Sequence, residues 1–462
     1  MRQIPFVTLL CLTLFSCSAG DPRLDRATRV ESGGWISVHL EGSPRTIGYQ
    51  HGSLLAPEID DLLKTMAHFV PGATQHDWDF FRRTAGRLFW TRLDREQQEE
   101  IEGIVEGLRA RGLAYDSLDI TALNGWIEIA YYYIPYLANL AKADSMNDRA
   151  PGNCSAFIAT GSWTADGQIV MAHNNWTDYI IGERWNVIAD IVPERGERML
   201  MDMLPGYIHS GDDFALNGAG LIYTETTITQ FRGFDTTGIP EFARARKAAQ
   251  YGRTIDDFVR IMTAGNNGAY ANTWLIGDLK ANEIAKLDLG LRHRRLWRTN
   301  DGIYVGSNFG TDDSLLRTET TFNPSDPASS PNARKTRWEQ LASEYRGRLD
   351  AEIAKTLEAD HLDVTTGERS ANRCAICGHV DQDSIGVPQW NNPPFYPTGA
   401  VQGKVTTASL ARELRFWARM GHPCGEDFLA AEFLAKHPEY RWQEKHLKDM
   451  RGNPWTLFQA AR

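Results

Sequence analysis

The run Asn153-Cys154-Ser155-Ala156 sets one isolated cysteine after the turn-forming pair Gly152-Asn153, at the head of an alternating apolar stretch. A thiol in that place has two readings. Inside a strand it packs as a small hydrophobe. As the first residue of a chain newly cut at Asn153–Cys154, it carries nucleophile and base together. A free thiol has a pKa of about 8.5 and an α-amine one of about 7.7–8.0. The amine therefore takes the thiol proton near neutral pH and later returns a proton to the leaving group. The same thiol could open the bond itself. Its attack on the Asn153 carbonyl gives a thioester that water resolves, and Gly152-Asn153 suits the tight backbone this requires.

A second set of thiols points to a structural role. Cys374-Ala375-Ile376-Cys377 is followed by His379, and Cys424 comes soon after His422. The spacing permits zinc, while an oxidising compartment favours a disulfide. Three cysteines cannot all pair internally. No metal and no cofactor is assigned to the catalytic site on this reading.

The elements that must carry these residues change character at Cys154. From Leu54 to about residue 140 apolar residues recur at helical spacing, as in Arg95–Arg111, where Glu99, Glu100, Glu102 and Glu106 oppose Ile101, Ile104, Val105 and Leu108. Residues 142–152 are polar and end in Pro151-Gly152, a loop signal. Beyond Cys154 the period falls to two. Short strands are expected at 156–160, 168–172, 185–191, 199–203 and on both sides of Asn217-Gly218, with Ala165-Asp166-Gly167 as a hairpin turn. Helices follow at 241–251 and 255–264, then strands at 271–276, 285–289, 291–297 and 303–305. Helices are expected again at 333–357, 406–420 and 428–434. The strand–helix–strand order implies sheets covered by helices, an α+β fold, with the helical N-terminal third packed on that body.

The division is read as 1–17 export signal, 18–44 lead-in, 45–153 helical chain and 154–462 nucleophile-bearing chain. Met1-Arg2 precedes a short apolar run and Ser16-Cys17-Ser18-Ala19-Gly20, an export signal. Leu14-Phe15-Ser16-Cys17 fits a lipoprotein box with Cys17 acylated, and ordinary cleavage just downstream is the alternative. The expected location is the periplasm or cell envelope, tethered by lipid, or otherwise secreted. With 462 residues, 49 basic and 59 acidic, the net charge is −10 without a long like-charge block. That balance excludes a nucleic-acid partner. Fourteen tryptophans suit a large core or a ring-lined cleft.

Several motifs then line up in order. Gly48-Tyr49-Gln50-His51-Gly52, Asn153-Cys154-Ser155-Ala156 and Ala172-His173-Asn174-Asn175-Trp176 come first. Pro205-Gly206, Ser210-Gly211-Asp212-Asp213-Phe214, Glu225-Thr226-Thr227 and Asn266 through Trp274 follow. Together they resemble the N-terminal-nucleophile hydrolases of the phospholipase B-like and penicillin acyltransferase-like group, over about residues 45 to 310. The resemblance implies a four-layer αββα sandwich and autocatalytic maturation into two chains that stay associated. It also implies acyl transfer or hydrolysis at an amide or ester, from a small-molecule or lipid-like substrate. Carried over by position, Cys154 is nucleophile and, through its α-amine, base. Asn267 is the oxyanion donor, and His173, Asn175 and Thr226 line the site or orient the amine. Trp176, Asp213 and Trp274 face the substrate. Plainer roles stand beside each: His173 satisfying a carbonyl, Asn174-Asn175 and Asn266-Asn267-Gly268 as turns, the tryptophans as core. An N-acyl amide is the first substrate class, a phospholipase B-like ester the second, and a non-catalytic binding lipoprotein the third reading.

Overall fold

The computed structural model describes residues 21–141, 154–212 and 214–461. Cys17, Asn153 and Asp213, with the expected signal and the loop before Cys154, lie outside the described residues. Within them the chain is a mixed α+β body built on two sheets. The larger has nine strands in the order Thr28–Ser32, Trp35–Gly42, Val187–Pro193, Met199–Met203, Ala215–Asn217, Leu221–Thr227, Asn272–Asp278, Glu283–Leu289, Arg294–Thr299. The smaller has six: Gly302–Gly306, Ser155–Thr160, Val170–Asp178, Thr398–Thr407, Arg415–Met420 and Thr456–Gln459. Trp35–Gly42 runs parallel to Val187–Pro193, so the extended lead-in is stitched into the body.

Period-two alternation decides what each strand face meets. Ala156, Ile158, Met171 and Phe416 of the smaller sheet share a core with Ile188, Leu200, Ile222 and Leu275 of the larger. The alternate residues Phe157, Ala159, Val170 and Ala172 pack instead on Trp338, Leu341 and Leu357 of helices Ser330–Glu344 and Ala351–Glu358. On the far side of the larger sheet, Val187, Ala189, Met201 and Tyr223 meet Ile59, Leu62, Ile104 and Phe258 from the N-terminal helices and Ile255–Thr263.

The Gly48–Gly52 element is part of that packing. It lies in helix Pro44–Leu54, which crosses Arg95–Ala110 so closely that a Cβ at Gly48 or Gly52 would collide with the Glu100 or Ile104 carbonyl. Gly103 and Gly107 face the same way from the partner helix. His51, between the two glycines, accepts the Gly206 amide through Nε2 at 2.9 Å. This motif therefore joins helix to loop.

Most expected elements form, with two corrections. Residues 406–420 are not a helix: Thr398–Thr407 and Arg415–Met420 are paired strands around the short helix Ala408–Ala411. In Arg415–Met420 buried and half-buried residues alternate strictly, a strand period that Leu410, Leu414 and the intervening charges disguise as a helical one. The single helix expected over 333–357 is two, broken after Tyr345 by Gly347 at φ 76° and restarted by Asp350, whose side chain caps the Ile353 amide at 2.8 Å.

Candidate active site

Cys154 sits at the head of strand Ser155–Thr160, fully buried, with φ at 122°. L residues adopt that backbone rarely, and such strain concentrates at functional positions. The antiparallel neighbour pairs Ser155 with Asn174 and Ala156 with His173. That register sets His173 and Asn175, two residues apart, on one face of their strand beside the cysteine. Cys154 Sγ lies 4.0 Å from Asn175 Oδ1 and 3.9 Å from Glu225 Oε1. The Asn175 amide nitrogen is buried and has no hydrogen-bond partner among the described residues.

The other groups come from far along the chain. Glu225, in Leu221–Thr227, accepts from Tyr270 Oη at 3.2 Å, and the Asn272 amide, with its nitrogen turned inward, donates to Oε2 at 2.8 Å. Thr227 Oγ1 supports Tyr270 at 2.9 Å. Arg334, on helix Ser330–Glu344, is completely buried. Its Nη1 donates to the Cys154 carbonyl at 2.7 Å and to Ser155 Oγ at 2.9 Å, and its Nη2 to Asn308 Oδ1 at 2.7 Å. The guanidinium stands 4.5 Å over the Trp176 ring, a stacked contact that a planar cation makes well.

Burial, then the nearby carboxylates of Glu225 and Asp212, push the Cys154 thiol well above its ordinary pKa. It is therefore protonated at neutral pH. Burial, reinforced by Lys404, pulls the His173 imidazole down to about 3, so it is neutral at working pH. Both its ring nitrogens lack a hydrogen-bond partner among the described residues, and Nδ1 is 4.0 Å from Asp212 Oδ2. Behind it, Lys404 is paired with Asp202 at 2.9 Å and with Asp212, and Ser210 Oγ bridges the two carboxylates at 2.9 Å each. Burial likewise pulls Arg334 down to about 9, which leaves it a cation at neutral pH.

The expected residues divide. Cys154, His173 and Asn175 come together, whereas Trp176 points to the opposite face of its strand with Asn174, its Nε1 donating to the Ile376 carbonyl at 3.2 Å. Thr226 lies against Gly306, whose strand pairs with Ala156. Asn267 spends its amide elsewhere: Nδ2 donates to Glu128 Oε2 at 2.6 Å, and Oδ1 accepts from Arg244 at 3.3 Å and from the Ala269 amide at 3.2 Å. Burial raises Glu128 to about 7 in that separate network. Trp274 packs edge-on against Tyr223 and Phe258 in the helix-facing core. Glu225, Asn272, Tyr270 and Arg334 are the groups that sequence reasoning does not single out as site residues. Glu225 carries a signal, a carboxylate among apolar strand residues, whereas Arg334 carries none beyond a cation on the apolar face of a helix.

Cys154, His173 and Glu225 each offer a ligand atom within 4.8 Å of the others, so the thiol has two titratable neighbours in reach. A cavity of about 230 Å³ opens on the other side of Trp390, lined by Trp126, Tyr131, Asp178, Tyr396 and Trp442. Trp390 meets Trp176 edge-on, with ring centroids 6.4 Å apart, and flanks Arg334. Thr177 and Asp178 continue the strand of Asn175 into the cavity wall.

A family model described as Phospholipase B matches residues 61–304, more than half of the chain. The chain belongs to the phospholipase B family. An uncharacterized protein of Archaeoglobus fulgidus is 24% identical over 303 residues, 61% of this chain and 49% of that protein. The Bos taurus protein named "Putative phospholipase B-like 2" is 30% identical over 158 residues, 31% of this chain and 26% of its own length. Phospholipase B-like 1 of Bos taurus is 25% identical over 264 residues, 50% and 48% of the two chains. The chain thus spans about half of these relatives or less. The family match takes in Cys154, Asn175, Glu225 and Asn272, and Arg334 lies beyond it.

Proposed function

We propose that this phospholipase B family chain is an exported, self-processing hydrolase that breaks an acyl bond through a thioester on Cys154. The observation that carries the reading is the convergence of Cys154 with Asn175, Glu225 and Arg334 at a strained strand head. On this reading the packed sheets with their outer helices are the αββα sandwich of N-terminal-nucleophile hydrolases. In maturation the thiol attacks the Asn153 carbonyl carbon, the peptide nitrogen leaves as the new α-amine, and water hydrolyses the thioester to free the Asn153 carboxylate.

The working site then has its own base. The α-amine takes the Sγ proton, the thiolate adds to the substrate carbonyl, and the amine's proton goes to the departing amine or alcohol. Water resolves the acyl-enzyme in a second addition. Asn175 Nδ2 is the donor we assign to both oxyanions, because a buried amide N–H without a partner among the described residues is free to bind charge only as it develops. Glu225 faces the sulfur and the new ammonium, and Arg334 holds the Cys154 carbonyl so that the strand head does not swing. The ring-lined cavity beyond Trp390 takes the acyl chain.

Two substrate classes fit one acyl-enzyme. An N-acyl amide is the first, and a phospholipid ester is the second, favoured by the description of the family and of its relatives. Lipid tethering at Cys17 would hold the enzyme at the envelope. Denaturing electrophoresis tests the maturation: fragments of about 17 and 35 kDa before signal removal, in proportion to the residues on either side of the bond, and one band for Cys154→Ala. Parallel assays on N-acyl amides and lysophospholipids then separate the two substrate classes.

A further inference from the structure

The thiols outside the catalytic centre converge on something else. Cys377, Cys424, His361 and His379 each present a ligand atom, and all four atoms lie within 4.8 Å of one another. His379 Nε2 is 3.5 Å from Cys377 Sγ and 3.5 Å from Cys424 Sγ. Ideal Zn–S and Zn–N bonds of about 2.3 and 2.05 Å at the tetrahedral angle set sulfur and nitrogen about 3.6 Å apart. Those two edges of the cluster therefore already have the size of a zinc tetrahedron. We propose that His361, Cys377, His379 and Cys424 form a tetrahedral zinc site.

Three separate segments build it. His361 follows helix Ala351–Glu358 and is brought beside Cys377 by the hydrogen bond from the Cys377 amide to the Asp360 carbonyl at 3.0 Å. Cys424 stands in the turn after strand Arg415–Met420, closed by Gly425 N to His422 O at 2.8 Å. Cys377 and His379 are fully buried, and His361 Nε2 is buried without a hydrogen-bond partner among the described residues. The surroundings suit ligation as well. His379 Nδ1 faces Gln382 Nε2 at 3.2 Å and Glu426 Oε2 at 3.8 Å, which leaves Nε2 on the side of the sulfurs. The Glu426 backbone amide donates to Cys424 Sγ at 3.5 Å, and His422 stacks on His379 with ring centroids 3.8 Å apart. Two sulfurs and two imidazoles select zinc over harder cations, and four protein ligands leave no open position for chemistry.

The site would do structural work for the catalytic centre. The loop it ties, 376–380, receives Trp176 Nε1 and Asn174 Nδ2 on the Ile376 carbonyl at 3.2 and 3.3 Å. Asn175, between them, is the assigned oxyanion donor. Cys374 is outside the tetrahedron; its Sγ donates to the Ala328 carbonyl at 3.9 Å.

The rival is a Cys377–Cys424 disulfide. Elemental analysis of full-length wild-type protein purified without chelator, with thiol alkylation in denaturant and no reductant, decides between them. The expected result is one zinc per chain, no disulfide, and a sulfur-to-metal charge-transfer band after exchange with cobalt(II). Cys374→Ser should keep the zinc, Cys377→Ser and Cys424→Ser should lose it, and Glu426→Ala should weaken it about 10-fold. A metal-free wild-type chain overturns the proposal, whether its thiols are joined or free. That measurement needs no variant to fold, and its outcome leaves the reading of Cys154 untouched.

Discussion

Cys154 and the Cys377–Cys424 pair are thiols packed beside the same smaller sheet, yet their neighbours give them opposite chemistry. Around Cys154 stand a carboxylate and an amide at about 4 Å, an Asn175 N–H unpartnered among the described residues, and a cation, Arg334, that grips the backbone rather than the sulfur. Around Cys377 and Cys424 two imidazoles converge at metal-ligand spacing. On the proposals above, one thiol is the nucleophile and the other two are metal ligands. A cysteine's role follows from what its sulfur faces, which neither burial nor spacing in the chain reveals alone.

The largest test of that contrast is Cys154→Ala. It should abolish maturation and reduce turnover by at least about 10³-fold, while zinc content stays at the wild-type level. Activity surviving in an uncut alanine variant would collapse the difference between the two sites. Asn175→Ala should lower kcat about 10²-fold or more, as loss of one oxyanion donor does, with little change in KM; an unchanged kcat would reassign the donor.

Arg334→Ala leaves the Cys154 carbonyl and Asn308 without their donor, so urea unfolding should show a loss of about 1–3 kcal/mol together with slower maturation. A stable, normally cut variant would show that the strand head needs no anchor. His173 sharpens the pH side. The unfolded chain binds a proton there below its ordinary pKa of 6.5, whereas the folded chain does so only near 3. Stability is therefore intact above 6.5 and falls as pH drops through that window, by about 2 kcal/mol at pH 5. His173→Asn should flatten that part of the pH profile, and urea midpoints at pH 7 and pH 5 measure it. The smallest effect belongs to Cys374→Ser, which should leave both maturation and zinc as they are.

The strands and hairpins around Cys154 are readable because one buried face writes a period of two into the sequence, and Ala165-Asp166-Gly167 turns as its residues demand, with Gly167 at φ 72°. The same local logic misplaces 406–420, where Leu410 and Leu414 mimic a helix inside a strand pair. His173 and Asn175 are legible as site candidates through the family resemblance of Ala172 to Trp176, and the register with the Cys154 strand brings them to the thiol. Glu225 shows only as a carboxylate among apolar strand residues and Arg334 not at all, since each reaches Cys154 through the packing of distant elements. Asn267 shows the reverse: a turn-like Asn-Asn-Gly with the right chemistry, whose amide is held by Glu128 and Arg244. His361, the fourth zinc ligand we infer, stands well before Cys374 in the chain and carries no motif at all.

The proposed function makes catalysis by Cys154 depend on breaking the bond before it. N-terminal sequencing and intact mass of the chains in active wild-type protein test that directly. The predicted result is a larger chain whose first residue is Cys154, held with the smaller one in a single particle. An active, uncut chain, or a larger chain that begins anywhere else, would contradict it.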